Sequence, residues 1–244
     1  MTFRFDLLSN PWVPCLLPTG EQRLYGLREV LGEAPNLAAL ADPSPLVTAS
    51  LHRLLLAILH RVFGPTDTSA WHALWRRGAW PEAALEEYFT RWQSRFDLFA
   101  PAHPFYQQPG LPAKLMAPVS RLVLDRASGT QATLFDHSRD AAAPPLSPAA
   151  AARALVAYQQ YCLGGRCGGD RGLVTVRSGP LAHAALFLVT GRNLFETLML
   201  NLVPYHPARE QPWPCRGAAD RPAWEQSGDQ AADRPTGYLD YLTW

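Results

Sequence analysis

Apolar and polar positions recur along the chain at spacings that predict several helices. The strongest pattern covers residues 46–63, which are almost all apolar and follow Ser44 and Pro45. Serine can cap a helix, proline is favoured at its first position, and Gly64 marks its end. We therefore predict a helix over 46–63 that is buried on several sides. Caps and apolar spacings of three and four predict further helices over 24–31, 70–77 (capped by Thr68 or Ser69), 81–99, 148–161 (capped by Ser147) and 194–202 (capped by Asn193).

Short strands are predicted at the start of the chain and in its middle. Residues 3–8 and 12–17 are apolar runs on either side of a Ser-Asn-Pro break. Apolar and polar residues alternate over 119–125, which predicts a strand. After a turn at 127–129, residues 133–135 could form a second short strand that pairs with it. The predicted class is α+β, a predominantly helical single globular domain with short N-terminal strands and hairpins.

Other stretches are less regular or ambiguous. The run 182–190 fits either a strand or a helix, and 238–244 predicts a strand. The stretches 100–118, 138–148 and 204–236 contain many prolines, so we expect them to be irregular.

The overall composition indicates a folded protein and an intracellular one. Of 244 residues, 48% are hydrophobic and 18% are charged, which is enough to bury a substantial core. The first residues carry Arg4 and Asp6 and lack the apolar segment of a signal peptide. No run of about 20 apolar residues is present, so we expect no membrane segment. Four cysteines are few for this length, which fits the reducing cytoplasm.

A segment rich in glycine and arginine, which we predict to be a loop that ends the helix over 148–161, is the most informative local feature. Five glycines and two arginines fall within residues 164–172. Glycine lets a backbone approach a partner closely, and arginine supplies a permanent charge with forked donors. The net charge of +1 does not indicate a nucleic-acid binder, but residues 150–192 hold five arginines against Asp170 alone. The segment therefore suits a phosphate backbone or a DNA groove, and a solvated flexible turn remains the alternative.

A search for catalytic and metal-binding chemistry is negative. Cys162 and Cys167 form a single C-x4-C pair without the second pair that a zinc site needs. Asp170 stands where a phosphate-binding P-loop requires lysine. No nucleophile elbow or metalloprotease motif is present, and the histidines are scattered. We expect no metal, cofactor or catalytic residue, and a Cys-dependent enzyme using Cys162 or Cys167 remains an alternative.

Several short blocks, taken in order, carry a resemblance to a known family. They are residues 5–14 (FDLLSNPWVP), 103–107 (HPFYQ), 132–136 (ATLFD), 197–202 (TLMLNL), 211–213 (QPW) and 237–239 (GYL) with Trp244. In sequence and spacing they resemble CasA, the large subunit of the type I-E CRISPR Cascade complex. Family members are about twice as long, so the resemblance implies that residues 1–244 are the N-terminal globular domain, without the C-terminal helical bundle. They would be either part of a longer subunit or a minimal variant of the family.

The resemblance implies a function. CasA-type subunits sit at the foot of a crRNA-guided complex and test duplex DNA for a protospacer-adjacent motif, largely from the minor groove. They help to open the duplex and to recruit a helicase–nuclease, and they are not nucleases themselves. The implied partners are crRNA, the other Cascade subunits, double-stranded target DNA, and a helicase–nuclease or a nuclease on another subunit.

The resemblance also assigns two sites. The glycine-rich segment would lie at the motif DNA, with groove approach through Gly164, Gly165, Gly168 and Gly169. From their charge and position in this segment, we expect Arg166 and Arg171 to contact the DNA backbone. A docking loop near the crRNA 5′ end and the protospacer-adjacent motif would comprise Leu134, Phe135, Asp136 and His137. A purely structural scaffold, whose glycine segment packs against a protein neighbour, is the other alternative.

Overall fold

Helix α2 (Pro45–Val62) is the centre of the fold, as the apolar run predicts. Every residue from 49 to 60 is buried, because helices α4 (Glu82–Trp92), α5 (Pro148–Tyr161), α6 (Leu194–Asn201) and α7 (Tyr238–Thr243) pack around it. The computed structural model describes residues 3–107, 109, 117–128, 136–137, 144–169, 172–176, 178–206, 220–226 and 237–243; for 166–169 and 172–176 it describes the backbone.

A small antiparallel sheet lies at the start of the chain. Its central strand β1 (Val13–Leu16) pairs with β2 (Gln22–Tyr25) and β3 (Ala39–Leu40), and helix α1 (Leu27–Gly32) follows β2. The strand predicted over 12–17 is confirmed. The helix predicted over 24–31 begins later, because Gln22–Tyr25 pairs with β1 instead.

The strand predicted over 3–8 is wrong. Residues 7–9 form a turn, and Asp6 makes an isolated bridge to Asp97. The Asp6 carboxylate accepts hydrogen bonds from the Leu8 backbone N–H and the Ser9 hydroxyl. Such local side-chain bonds offer the backbone an alternative to strand pairing.

For the remaining helices, most of the predicted capping residues are the ones that the structure shows. Ser147 caps α5 and Asn193 caps α6, as predicted, each side-chain oxygen accepting a bond from a backbone N–H in the first turn. Helix α3 (Thr68–Arg77) is capped by Asp67 rather than by Thr68 or Ser69. Helix α4 ends at Trp92 and continues as a short 3₁₀ turn, well before residue 99.

Two more strand predictions are wrong. Residues 119–122 form a 3₁₀ helix, and the expected return strand 133–135 lies outside the described residues. The 238–244 run forms helix α7 over its described part, since Leu239 and Leu242 then face the core together. The ambiguous run 182–190 is neither helix nor strand.

A single hydrophobic cluster extends through the fold. Buried apolar side chains from Leu7 to Leu242 belong to it, with Trp12, Phe89, Phe96 and Phe105 among the largest. The architecture is therefore α+β, mainly helical and organised around one core, as predicted. Within the described residues, no helix combines the length and apolar character required to cross a membrane.

Candidate nucleic-acid interface

The glycine-rich segment forms a β-hairpin instead of the irregular loop expected from its composition. Strand β4 (Gly165–Gly169) pairs antiparallel with β5 (Gly172–Val176), with Gly165 opposite Val176 and Gly169 opposite Gly172. Glycine weakens a strand, but residues 173–176 of β5 (LVTV) are good strand formers and supply the preference for pairing. We call residues 165–176 the glycine hairpin; Asp170 and Arg171, between its strands, lie outside the described residues.

The start of the glycine hairpin is open to solvent. Gly164 and Gly165 are exposed, and the preceding Leu163 is 65% exposed. A Cβ atom built on Gly165 would meet no atom within 4 Å. This stretch of backbone is therefore accessible to a large partner, which is the property that the sequence assigns to it.

Hydrogen bonds fasten the hairpin to the end of α5. The Gly179 N–H donates to the Cys162 carbonyl (2.8 Å), and the Leu181 N–H donates to the Gln160 carbonyl (2.9 Å). The Gly164 N–H donates to Ser178 Oγ (2.9 Å), which in turn lies 3.3 Å from His183 Nε2. These bonds join the two ends of the hairpin to each other and to α5.

The arginines around the hairpin are less available for phosphate contacts than their number suggests. Arg153 forms an ion pair with Asp42 (2.9 Å) and donates to the Trp12 carbonyl (2.8 Å). Arg192 is held by Glu196 at 2.6 Å. Both guanidinium groups thus have local partners. The side chains of Arg166, Arg171 and Arg177 lie outside the described part of the chain.

The predicted docking loop is described at Asp136 and His137, whereas Leu134 and Phe135 lie outside the described residues. The Asp136 carboxylate accepts a hydrogen bond from the Ala127 N–H (2.5 Å), so it anchors this segment to the preceding turn. His137 is exposed. The bonds above group Gly164 with Ser178 and His183, and Asp136 with Ala127; they do not join the two predicted sites.

The cysteines and acidic groups suggest no other site. Burial raises the pKa of Cys15 to about 12, which keeps it a thiol and a poor nucleophile. Cys162 is half-buried at the end of α5, and the Cys167 side chain is outside the described residues. Among the residues with described side chains, no three His, Cys, Asp or Glu residues gather as a metal site.

Sequence reasoning missed three residues at this site: Ser178, Gly179 and His183. A signal was present, because Ser178-Gly179-Pro180 lies one residue after the strand-forming residues of β5 and is a typical turn sequence. The pairing of Ser178 with Gly164 depends on hairpin geometry, which composition alone does not indicate.

Comparison with protein families identifies the chain. Residues 6–244 match the model of the family described as CRISPR-associated protein Cse1. This chain belongs to the Cse1 family. The resemblance inferred from the sequence blocks is confirmed by this match. Of those blocks, residues 132–135, 211–213 and Trp244 lie outside the described residues.

Relatives of known sequence and structure agree with the Cse1 assignment. The chain is 38% identical to the CRISPR-associated protein CasA/Cse1 of Thermus thermophilus, over 96% of this chain and 50% of that protein. The structure of Thermus thermophilus CasA (Cse1) matches with a TM-score of 0.80 and 35% identity, over 98% of this chain and 48% of the other. Thermobifida fusca Cse1 matches with a TM-score of 0.81 and 30% identity, over 99% and 48%.

A Cse1-like chain also occurs in an assembled particle. A chain of a CRISPR RNA-guided surveillance complex matches with a TM-score of 0.77 and 29% identity, over 92% of this chain and 47% of that one. The present chain thus spans about half the length of the relatives it matches. The α+β fold predicted from sequence is the fold of these Cse1 structures.

Proposed function

We propose that this chain acts within the large subunit of a type I-E CRISPR Cascade complex, as its N-terminal globular domain. In this role it senses the protospacer-adjacent motif in duplex DNA through the glycine hairpin and helps to start unwinding. The observation that carries the proposal is the exposed backbone at Gly164 and Gly165, with open space at the Cβ position of Gly165, in a chain of the Cse1 family. The similarity to a chain of a CRISPR RNA-guided surveillance complex supports the assembly.

The hairpin suits the minor groove for a physical reason. This groove is narrow and presents a degenerate pattern of donors and acceptors, so a protein reads there mainly shape and exocyclic groups. A backbone without side chains, as at Gly164, Gly165, Gly168 and Gly169, can approach such a groove closely. Arg166 and Arg171 would supply contacts to phosphates that are independent of sequence.

The docking loop has a second role in the proposal. It lies near the crRNA 5′ end, where Leu134, Phe135 and His137 would make contacts. Asp136 would act differently, because its carboxylate already accepts the Ala127 N–H and so ties residue 136 to residue 127.

The subunit is non-catalytic in this proposal, and it works in the cytoplasm. Guide RNA reads the target by base pairing, so the protein needs to recognise only a short motif. Cleavage falls to a helicase–nuclease that the complex recruits, or to a nuclease on another subunit. The partners are crRNA, the other Cascade subunits and double-stranded target DNA, and no cofactor takes part.

The substitution Gly165→Asp tests the proposal. A carboxylate at this open position should repel phosphates and obstruct the groove, and we expect the Kd for motif-bearing duplex to rise at least about tenfold, or 1.4 kcal/mol. Assembly with crRNA and the other subunits should be unchanged. The assay is a gel shift with the assembled complex.

A matched control is available at Gly32. It is exposed at the end of α1, and a Cβ there also meets no atom within 4 Å. Gly32→Asp adds the same charge away from the hairpin and should leave DNA affinity within about twofold. Equal affinities for the Gly165→Asp and Gly32→Asp complexes would contradict the proposal.

A scaffold without direct DNA readout is the second candidate, and one observation favours it. Leu186, Phe187 and Val189 follow the hairpin and are exposed, Phe187 to 89%. Clustered exposed apolar residues are typical of protein contacts. Footprinting of the complex on target DNA separates the two candidates, because a scaffold would leave motif-proximal DNA unprotected by this subunit.

A further inference from the structure

Gly179 lies just after the glycine hairpin, packed against the last turn of α5. A Cβ atom built on it would lie 2.5 Å from the Gln160 carbonyl oxygen, 2.6 Å from the Gln160 carbonyl carbon and 2.9 Å from the Gln159 oxygen. All three are backbone atoms of a helix, so they cannot swing aside as the tip of a side chain can. Any residue larger than glycine at this position must push the chain away from α5.

The close approach at Gly179 allows three hydrogen bonds to form at the hairpin base, which we define as Cys162, Gly164, Ser178, Gly179 and Leu181. The Gly179 N–H reaches the Cys162 carbonyl, and the Leu181 N–H reaches the Gln160 carbonyl. The last carbonyls of a helix have no partner within the helix, so these bonds also satisfy the end of α5. The Gly164 N–H completes the base by donating to Ser178 Oγ.

The surface to which the hairpin base is bound is itself fixed in the core. Gln160 is 1% exposed, and its side chain accepts from Arg53 Nε of α2 (2.7 Å) and donates to the Leu242 carbonyl of α7 (3.1 Å). Arg53 also donates to the Tyr241 carbonyl (2.6 Å). The last turn of α5 is thus held by two other helices.

We propose that Gly179 is the positioning residue of the glycine hairpin. Its missing side chain lets the base lie against α5, and this contact fixes the direction in which the hairpin projects from the core. The hairpin contains flexible glycines of its own, so without this anchor more of its freedom would be lost on binding a partner. The consequence for DNA rests on the function proposed above, whereas the positioning itself does not.

The test compares Gly179→Ala with Gly32→Ala. One measurement is amide hydrogen exchange of the protein over residues 162–181, and the other is the Kd of the assembled complex for motif-bearing duplex. In Gly179→Ala we expect at least about tenfold faster exchange at the amides of Gly164, Gly179 and Leu181, with α2 unchanged, and about tenfold weaker DNA binding. Gly32→Ala should alter neither, because its Cβ enters open space.

Ser178→Ala is the second variant, for the case in which Gly179→Ala also loosens α2. It removes the acceptor of the Gly164 N–H together with the hydroxyl contact to His183 Nε2, and it leaves Gly179 unchanged. Exchange should therefore rise at Gly164 and be restored in Ser178→Thr. Unchanged exchange at the base in both Gly179→Ala and Ser178→Ala would overturn the positioning role. Faster exchange with unchanged DNA affinity would support the positioning role and count against the hairpin as the DNA-contacting element.

Discussion

His60 is a buried histidine of α2, and we expect it to make the free energy of unfolding depend on pH. Neither ring nitrogen has a hydrogen-bond partner among the residues that the structure describes, and the ring stands edge-on to Tyr238 at 4.9 Å. Burial lowers the pKa of His60 to about 3, from an ordinary value of about 6.5. The folded state therefore keeps this group neutral at pH values where the unfolded chain binds a proton.

The expected loss from His60 begins below pH about 6.5 and continues toward 3, at up to about 1.4 kcal/mol per pH unit. His60→Leu should flatten the decline of the unfolding free energy between pH 6.5 and 4, measured by denaturant titration. The same change at exposed His72 is the control. Parallel pH profiles for the wild type and His60→Leu would show that the loss of stability at acid pH does not come from His60.

Arg166 is the residue at which a phosphate contact can be tested apart from groove readout. We expect Arg166→Ala to weaken binding equally for all motif sequences and to reduce the salt slope of log K by about 1. Arg192 is a matched control, since its side chain is 88% exposed yet already paired with Glu196. Salt titrations of the assembled complex give the slopes. A loss confined to one motif sequence would assign Arg166 to base readout instead.

At the level of elements, helix caps differ in a way that stability measurements can resolve. Asn193 caps α6 by accepting from the Glu196 N–H at 2.8 Å, whereas Ser44 at the start of α2 makes no side-chain cap bond. Asn193→Ala should therefore cost about 1 kcal/mol of unfolding free energy, and Ser44→Ala only a few tenths. Chemical denaturation of both variants checks this. Equal losses would mean that the Asn193 bond adds nothing beyond the residue's own preference.

Start signals and the length of the apolar run explain which elements could be predicted from the sequence. Helices α2, α5 and α6 combine a start signal with a long apolar run, and sequence places them within about two residues. The runs 3–8, 119–125 and 238–244 are too short for their spacing to separate strand from helix. Contacts with the rest of the protein decide them, as when Leu242 joins the hydrophobic cluster and Leu239 is buried.

The candidate site was predictable only in part. The position of the glycines and their exposure at Gly164 and Gly165 follow from composition. The hairpin pairing depends on the strand preference of residues 173–176, which the glycines obscured. The close packing of Gly179 depends on the backbone of another element, at Gln160 of α5, and no local sequence pattern indicates this contact.

For the molecule as a whole, long-range polar bonds tie distant segments to the core. Glu225, whose side chain is 1% exposed, accepts from Arg61 of α2 (2.8 Å) and from the Tyr88 hydroxyl of α4 (2.7 Å). The indole N–H of Trp224 donates to Tyr88 (2.7 Å). Sequence predicts only an irregular stretch here, since these partners lie more than 130 residues away. Residues 224–225 and the end of α5 are thus both bonded to other helices, and the base of the glycine hairpin is bonded to that end of α5.

Photo-crosslinking from Leu163 in the assembled complex shows whether the glycine hairpin touches target DNA. This side chain is 65% exposed beside Gly164, and a photoreactive residue there leaves the glycines intact. The control is the same residue at Leu24, which is 44% exposed on β2. We predict crosslinks from position 163 to the base pairs of the motif and none from position 24. Crosslinks from 163 to protein neighbours alone, with bound target DNA present, would contradict DNA sensing by the glycine hairpin.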